Sequence, residues 1–306
     1  MLAAKNLTRH FGALVAVDNL SFQVEPGTVL GFLGPNGAGK STTMKMLTGF
    51  LAPTSGTAEV FGHDISRSAI QARRMIGYLP EGAPLYGELS VDQFLRFVAE
   101  ARGFAGEERV RRVKEAADRL ELSAVMGQSI ETLSKGFKRR VGLAQAILHD
   151  PPTLILDEPT DGLDPNQKHQ VRQLIRQMAA DKIIVISTHI LEEVDALCSR
   201  AMIIAQGRLL ADDTPAGLLA RSRYHGAVTL QVDDPERAAS RLGELTEARE
   251  VEVRAGRVTV FPSGQGHLFQ AVNGLVDSQG WSVEQMQLES GRLDEVFRTV
   301  TREEAA

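Results

Sequence analysis

The chain has a single cysteine, Cys198, in 306 residues, which excludes a disulfide within it and agrees with a reducing compartment. Cys198 closes the pattern Leu191, Val194, Leu197, Cys198, the spacing of a helix's buried stripe, so core packing is expected rather than redox chemistry. Positive charge is not in excess either: 34 Lys+Arg against 39 Asp+Glu leave a net charge of −5. Nothing electrostatic favours nucleic acid as a partner. No stretch approaches the roughly 18 uninterrupted apolar residues of a membrane span. The start, MLAAKNLTRHFG, lacks a basic region followed by an apolar run, so a signal peptide is not expected. Any work at a membrane has to go through a partner.

What remains is an ordinary globular composition, 43% hydrophobic and 24% charged, in a chain long enough for one large domain or for a medium and a small one. Charge divides it unevenly. Residues 227–306 hold 14 Asp+Glu against 8 Lys+Arg, whereas residues 1–226 hold 25 against 26.

The strongest local signal is Gly34-Pro35-Asn36-Gly37-Ala38-Gly39-Lys40-Ser41-Thr42, between the strand-like TVLGFL and the helical TTMKMLTGF. Glycines let successive backbone N–H groups curl around phosphate oxygens, and the helix that follows points its positive end at the same anion. Lys40 can then reach the β- and γ-phosphates, and Ser41 can offer a hydroxyl to Mg²⁺. Such a site needs a carboxylate at the end of another buried strand, and Pro152-Thr153-Leu154-Ile155-Leu156-Asp157-Glu158 supplies two acids. Strand alternation would send them to opposite sides, with Asp157 as the metal partner and Glu158 as the general base. A third strand, Lys182–Ser187, ends in Thr188-His189, and His189 can donate to a γ-phosphate. Ligands of parallel sheets bind at these carboxyl ends.

Between cradle and acids comes Thr132-Leu133-Ser134-Lys135-Gly136-Phe137-Lys138-Arg139-Arg140, a Ser/Gly turn opening a helix with basic residues in its first turns. That order is backwards for the macrodipole unless the helix start receives an anion. The cradle already wraps one nucleotide, so the turn is expected to serve the γ-phosphate on another subunit.

With these stretches in order, the chain resembles the ATP-binding subunit of an ATP-binding-cassette (ABC) transporter. The matching stretches are the P-loop, the signature turn LSKGF where the family usually reads LSGGQ, LILDEPTDGLD, and STH, over about residues 1–220. The resemblance implies an α/β P-loop NTPase cassette, a RecA-like core plus a helical subdomain at about residues 82–145. It implies that Phe11 stacks on adenine, that Gly34 to Thr42 bind phosphates, that Ser41 and Asp157 serve Mg²⁺, that Glu158 activates water and that His189 holds the γ-phosphate. Ser134, Lys135 and Gly136 would close over the ATP of the opposite protomer, and Asp164 of the D-loop would help join the two sites. ATP would clamp a homodimer of cassettes, paired with separate transmembrane permease subunits at the cytoplasmic face of the inner or plasma membrane.

Neighbouring classes fit less well. A ribosome-directed ABC ATPase would normally carry two cassettes, and one P-loop is present; a chromosome ATPase would separate P-loop and signature by a coiled coil, and no sustained heptads occur. A P-loop kinase would lack LSKGF. A soluble ABC-type ATPase acting as a nucleotide-gated scaffold without transport stays as the alternative, disfavoured by the presence of both Glu158 and His189.

After a linker at 221–226 the pattern changes to strand Ala227–Val232, helix PERAASRLGEL, strands Arg249–Val253 and Arg257–Phe261 about the turn Ala255-Gly256, a helix at His267–Ser278, a strand at Trp281–Leu288 and a helix in LDEVFRTVTREE. The order βαββαβ is that of a small α+β ferredoxin-like domain at 227–306. It resembles the accessory domain of a bacterial group of ABC ATPases linked to multidrug, lipid or gliding-type export.

One loop departs from the family. In Leu79-Pro80-Glu81-Gly82-Ala83-Pro84-Leu85-Tyr86, Glu81 stands where most members carry glutamine. A carboxylate keeps the oxygen for Mg²⁺ but loses the amide donor. Near a γ-phosphate it must pair with the metal or swing away, since like charges about 4 Å apart cost on the order of 4 kcal/mol at an effective dielectric near 20. Pro84, Leu85 and Tyr86 are expected to form part of a socket for a cytoplasmic helix of the membrane subunit.

Overall fold

Apolar runs without alternation, such as Val29–Leu33 and Ile183–Val185, are what strands need when both faces of a sheet are covered. The computed structural model describes residues 1–264 and 267–303 and divides into two units, Met1–Thr214 and Pro215–Ala306. In the first unit the order is β1 (Leu2–Phe11), β2 (Leu14–Val24), β3 (Val29–Leu33), α1 (Lys40–Leu47), β4 (Ser55–Val60), β5 (His63–Asp64), α2 (Ala69–Arg74), β6 (Ile76–Leu79), α3 (Val91–Ala101) and α4 (Gly106–Arg119). It continues with α5 (Lys135–Ile147), β7 (Thr153–Asp157), α6 (Pro165–Met178), β8 (Ile183–Thr188), α7 (Leu191–Leu197), β9 (Arg200–Ala205) and β10 (Arg208–Asp213).

The central sheet has six strands in the order β10-β9-β3-β8-β7-β6. All neighbours are parallel except the β9–β10 hairpin. Registers Leu33↔Thr188, Asp157↔Ser187 and Leu79↔Leu156 bring the carboxyl ends of β3, β8, β7 and β6 to one edge. A second, antiparallel sheet, β2-β1-β4-β5, covers α1. Between them lies a core that includes Leu7, Phe22, Phe32, Met44 and Ile155, with Phe22 and Phe32 edge to face at 5.3 Å.

Local chemistry starts the helices. Ser90 and Gln93 form a capping box on α3, Ser134 accepts from the Phe137 amide at the start of α5, and Asp164 followed by Pro165 opens α6. The helix expected to bury Cys198 ends at Leu197 instead. Cys198 is extended but still buried, and burial pushes its thiol up to about 12.

His149, just after α5, bonds the Ile76 carbonyl at 3.1 Å, and burial first of all lowers its pKa from 6.5 to about 4. Between those two values the unfolded chain binds a proton that the folded chain does not. Stability is therefore expected to fall as pH drops through this window, by no more than about 1.4 kcal/mol per pH unit. His149→Gln should flatten that slope in urea unfolding at pH 7 and pH 5; an unchanged slope would refute the assignment.

The second unit runs α8 (Pro215–Ala220), β11 (Val228–Val232), α9 (Pro235–Leu242), β12 (Ala248–Arg254), β13 (Arg257–Pro262), α10 (Leu268–Gln279), β14 (Val283–Leu288) and α11 (Leu293–Glu303). Its four-stranded sheet, β12-β13-β11-β14, is antiparallel throughout. The βαββαβ order read from sequence is present, and α8 belongs to this unit rather than to the cassette that was expected to end at residue 220. Glu304, inside the expected final helix, lies outside the described residues. This unit has its own core, including Val228, Leu230, Val258, Val260 and Val272.

Candidate active site

The loop between β3 and α1 is shaped by its glycines. A Cβ on Gly34 would lie 2.3 Å from the Ile204 carbonyl oxygen, and Gly39 caps α1 at φ +101°. Lys40 Nζ donates to the carbonyls of Gly34 at 2.7 Å and Pro35 at 3.0 Å, which fixes its ammonium at the loop's centre. Burial lowers the Lys40 pKa, and the charges of Glu158, Asp157 and Glu81 oppose that shift. The loop floors a cleft of about 350 Å3 that is lined by Asn36 to Thr42, by Phe11 and Leu14 on one side, and by Glu81 and Glu158 on the other. Phe11 is half exposed, with the Arg9 guanidinium 4.6 Å from its ring centre. An exposed aromatic beside a phosphate cradle suits the stacking of a nucleotide base.

At the end of β7 the two acids separate by backbone kink, not by strand alternation. Asp157 is the last strand residue and fully buried, whereas Glu158 takes a left-handed conformation at φ +52°. The Ser187 hydroxyl donates to Asp157 Oδ1, while Asp157 Oδ2 is buried with no partner among the described residues. The Glu158 amide donates to Ser187 Oγ at 3.0 Å, and its carboxylate lies 2.9 Å from His189 Nδ1. Burial raises the Glu158 pKa and the bond from His189 opposes the rise. Glu81 joins the same edge, accepting from Ser41 Oγ at 3.4 Å.

These placements bear on a metal. Among the described residues no group of three or more His, Cys, Asp or Glu side chains gathers as a ligand set. A Mg²⁺ site does not need one, because this ion usually takes one or two protein oxygens and completes its shell with phosphate and water. The orphaned Asp157 Oδ2 and, on the cleft lining, the Ser41–Glu81 contact supply oxygens of the kind that pattern needs.

The signature residues do not line the cleft. Ser134 and Lys135 are exposed; Lys135 Nζ pairs with Asp161 at 2.9 Å, and Gly136 is buried against Leu163 and Gln167. Asp164 accepts from the Gln167 amide at 2.9 Å as the cap of α6. The basic residues that follow are struts, not anion receivers. Arg139 is buried and donates to the carbonyls of Pro80, Asp157 and Glu158. Arg140 stacks on Phe137 and donates to Leu120. Facing outward, Pro84 and Tyr86 are exposed and Leu85 half-buried, and Tyr86 packs edge-on at 5.7 Å against Phe97, itself half exposed.

Sequence reasoning passes over one residue that the site depends on. Glu193 of α7 is fully buried and takes hydrogen bonds from the hydroxyls of Thr160 and Thr188, with Arg172 at 3.7 Å. It fastens the segment after Glu158 to the residue before His189. Its signal is positional, since Glu193 falls four residues before Leu197 on the buried stripe of the helix.

A parallel sheet whose strand ends carry a glycine cradle, a buried aspartate and a glutamate–histidine pair defines a P-loop nucleotide-binding cassette. Residues 17–161 match the family model for the ABC transporter. The chain is 38% identical over 223 residues to "Probable multidrug ABC transporter ATP-binding protein YbhF" of Escherichia coli, an alignment covering 72% of this chain and 38% of that one. It is 35% identical over 252 residues to "Nod factor export ATP-binding protein I" of Cupriavidus metallidurans, covering 82% of this chain and 83% of the relative. A solved structure titled "Structure of ATP binding subunit of ABC transporter" superposes with a TM-score of 0.67 at 32% identity, covering 71% of this chain and 91% of the other. The chain belongs to the ABC transporter family as an ATP-binding cassette protein. It spans well under half the length of YbhF.

Proposed function

We propose that the protein hydrolyses ATP as a homodimer and drives a separate membrane permease, in export. The observation that carries this reading is the Glu158–His189 pair at the mouth of the P-loop cleft. Glu158, with a raised pKa, is placed to take the proton of a water whose oxygen bonds to the γ-phosphorus as the bond to the β–γ bridging oxygen breaks and ADP leaves. His189 orients Glu158 and can donate to the γ-phosphate; Lys40 and the backbone of residues 34–42 hold the phosphate chain, and Phe11 the adenine. Ser41 and Asp157, joined by Glu81, are the residues that would hold Mg²⁺, which when bound supplies positive charge to the β- and γ-phosphate oxygens.

Ser134, Lys135 and Gly136 are not part of their own chain's cleft lining, and the family resemblance assigns them to the ATP of the second protomer, with Asp164 near the junction. Export follows the printed name of one relative, the Nod factor export protein. No helix among the described residues is long and apolar enough to cross a membrane; the permease proposed at the cytoplasmic face would dock at Pro84, Leu85 and Tyr86, next to Phe97. The domain division assigned is a cassette followed by the accessory α+β unit.

The test is capture from detergent-solubilised membranes of the host, with the full chain as bait. A partner with about six apolar spans, released by Tyr86→Glu while ATP binding persists, is the expected result. A chain that fractionates with the cytosol, hydrolyses ATP and captures no membrane protein would overturn it in favour of the nucleotide-gated scaffold.

Glu81 gives a second test at this site. Glu81→Gln is expected to loosen the Mg²⁺ dependence of ATP binding without abolishing hydrolysis, because it removes one negative charge from the metal's surroundings and keeps an oxygen. An Mg²⁺ titration that superposes on that of the native chain would refute a metal role for Glu81.

A further inference from the structure

The second unit contains a cavity that plays no part in the chemistry above. It has a volume of about 290 Å3 and is lined by Arg223, Tyr224, Arg254, Arg292, Arg298 and Arg302, with Asp294, Glu295 and Thr299 completing the wall. Residues 227–306 carry an acidic excess and only eight cationic residues, all arginine, yet four of them line this one cavity. Arg223, just before that stretch, makes a fifth. Like charges gathered against the trend of their own domain cost free energy that a bound anion offsets.

The guanidinium groups are held in place from behind. Arg292 lies 3.8 Å from the centre of the Tyr224 ring, and Arg223 lies 4.3 Å from that of Phe261. Glu252 pairs with Arg223 at 2.7 Å and Glu289 with Arg292 at 2.8 Å, and neither carboxylate lines the cavity. Within the wall, Asp294 pairs with Arg298 at 2.6 Å. Each guanidinium has five N–H donors in a planar fork, so one carboxylate leaves several donors over. Arg254 and Arg302 form no side-chain hydrogen bond or ion pair with another described residue. Three oriented forks and two more without a partner among the described residues, beside the Tyr224 ring, match the geometry of phosphate oxygens.

We propose that this cavity binds a phosphate-bearing anion of pyrophosphate size, either a soluble phosphate compound or the headgroup of an anionic lipid. The test uses the full chain with Lys40→Ala, which removes the P-loop's own phosphate ligand. Titration with inorganic pyrophosphate in a calorimeter is expected to show binding that Arg254→Glu together with Arg302→Glu weakens about tenfold or more. Neither arginine has a partner among the described residues to lose, and replacing them relieves like-charge crowding, so the unfolding temperature should not fall.

A second arm sediments the same proteins with phosphatidylcholine vesicles with or without phosphatidic acid. Co-sedimentation that needs phosphatidic acid and both arginines assigns the phosphate to a lipid headgroup. Pyrophosphate binding without vesicle binding assigns it to a soluble compound. If neither probe binds, or if binding is the same with both arginines replaced, the proposal is overturned.

Discussion

Glu158→Gln is expected to lower ATP turnover by about 10²–10⁴-fold, the contribution of a positioned general base, while ATP binding stays within a small factor of the native chain. The backbone explains why no neighbour can substitute. Asp157 is fully buried, Glu81 is turned to the Ser41 hydroxyl, and the left-handed turn at Glu158 brings to the cleft the one carboxylate of the three that pairs with His189. A glutamine keeps the shape and the contact with His189 but cannot accept a proton at neutral pH. Burial raises the Glu158 pKa, so the acid limb of the native rate profile should lie above the ordinary carboxylate range, with activity lost as pH falls and the group protonates. His189→Ala removes the bond that opposes this rise and should move the limb to still higher pH. Phosphate release under saturating ATP, measured beside equilibrium nucleotide binding, separates the two effects. Turnover of E158Q within tenfold of native would sink the assignment.

Gly39→Ala is expected to abolish nucleotide binding and to lower stability. At φ +101° an alanine pays a backbone strain of about 1–3 kcal/mol. Its Cβ would also sit 2.4 Å from the Ala16 carbonyl oxygen, a contact that backbone cannot concede without moving β2 or the cradle. Gly37 is the control. It too has positive φ, but no atom lies within 4 Å of where its Cβ would be, so Gly37→Ala should carry the strain without the clash. Nucleotide binding and thermal unfolding of the two variants side by side provide the measurement. Equal losses in both would refute the close approach as the cause.

Local patterning is enough to find the cradle, the acids and His189, because each depends on a few adjacent residues at the end of an apolar strand. The resemblance that those stretches carry extends to the family itself. The β–α order of the second unit is legible for the same reason, since alternation in β11 and the Ala255-Gly256 turn are short-range features. What depends on distant partners is not. The kink at Glu158 rests on Ser187 from another strand, the burial of Arg139 on three carbonyls far away in sequence, and that of Glu193 on Thr160 and Thr188. Charge on a helix reads as solvated until its partners are known, which is why the basic start of α5 resembles an anion receiver. Lys135 conforms least to either reading: its ammonium faces Asp161 of the same chain.

Arg139 has a mechanical consequence. One guanidinium ties the helix that begins at the signature turn to the carbonyl of Pro80 and to those of Asp157 and Glu158. Under the proposed function, a push at Tyr86 would travel a few residues along the chain to Pro80 and there meet a spoke whose other end is the backbone of Glu158. On that reading the lever's pivot is a single side chain, and force from the proposed partner and the timing of bond cleavage would share one part.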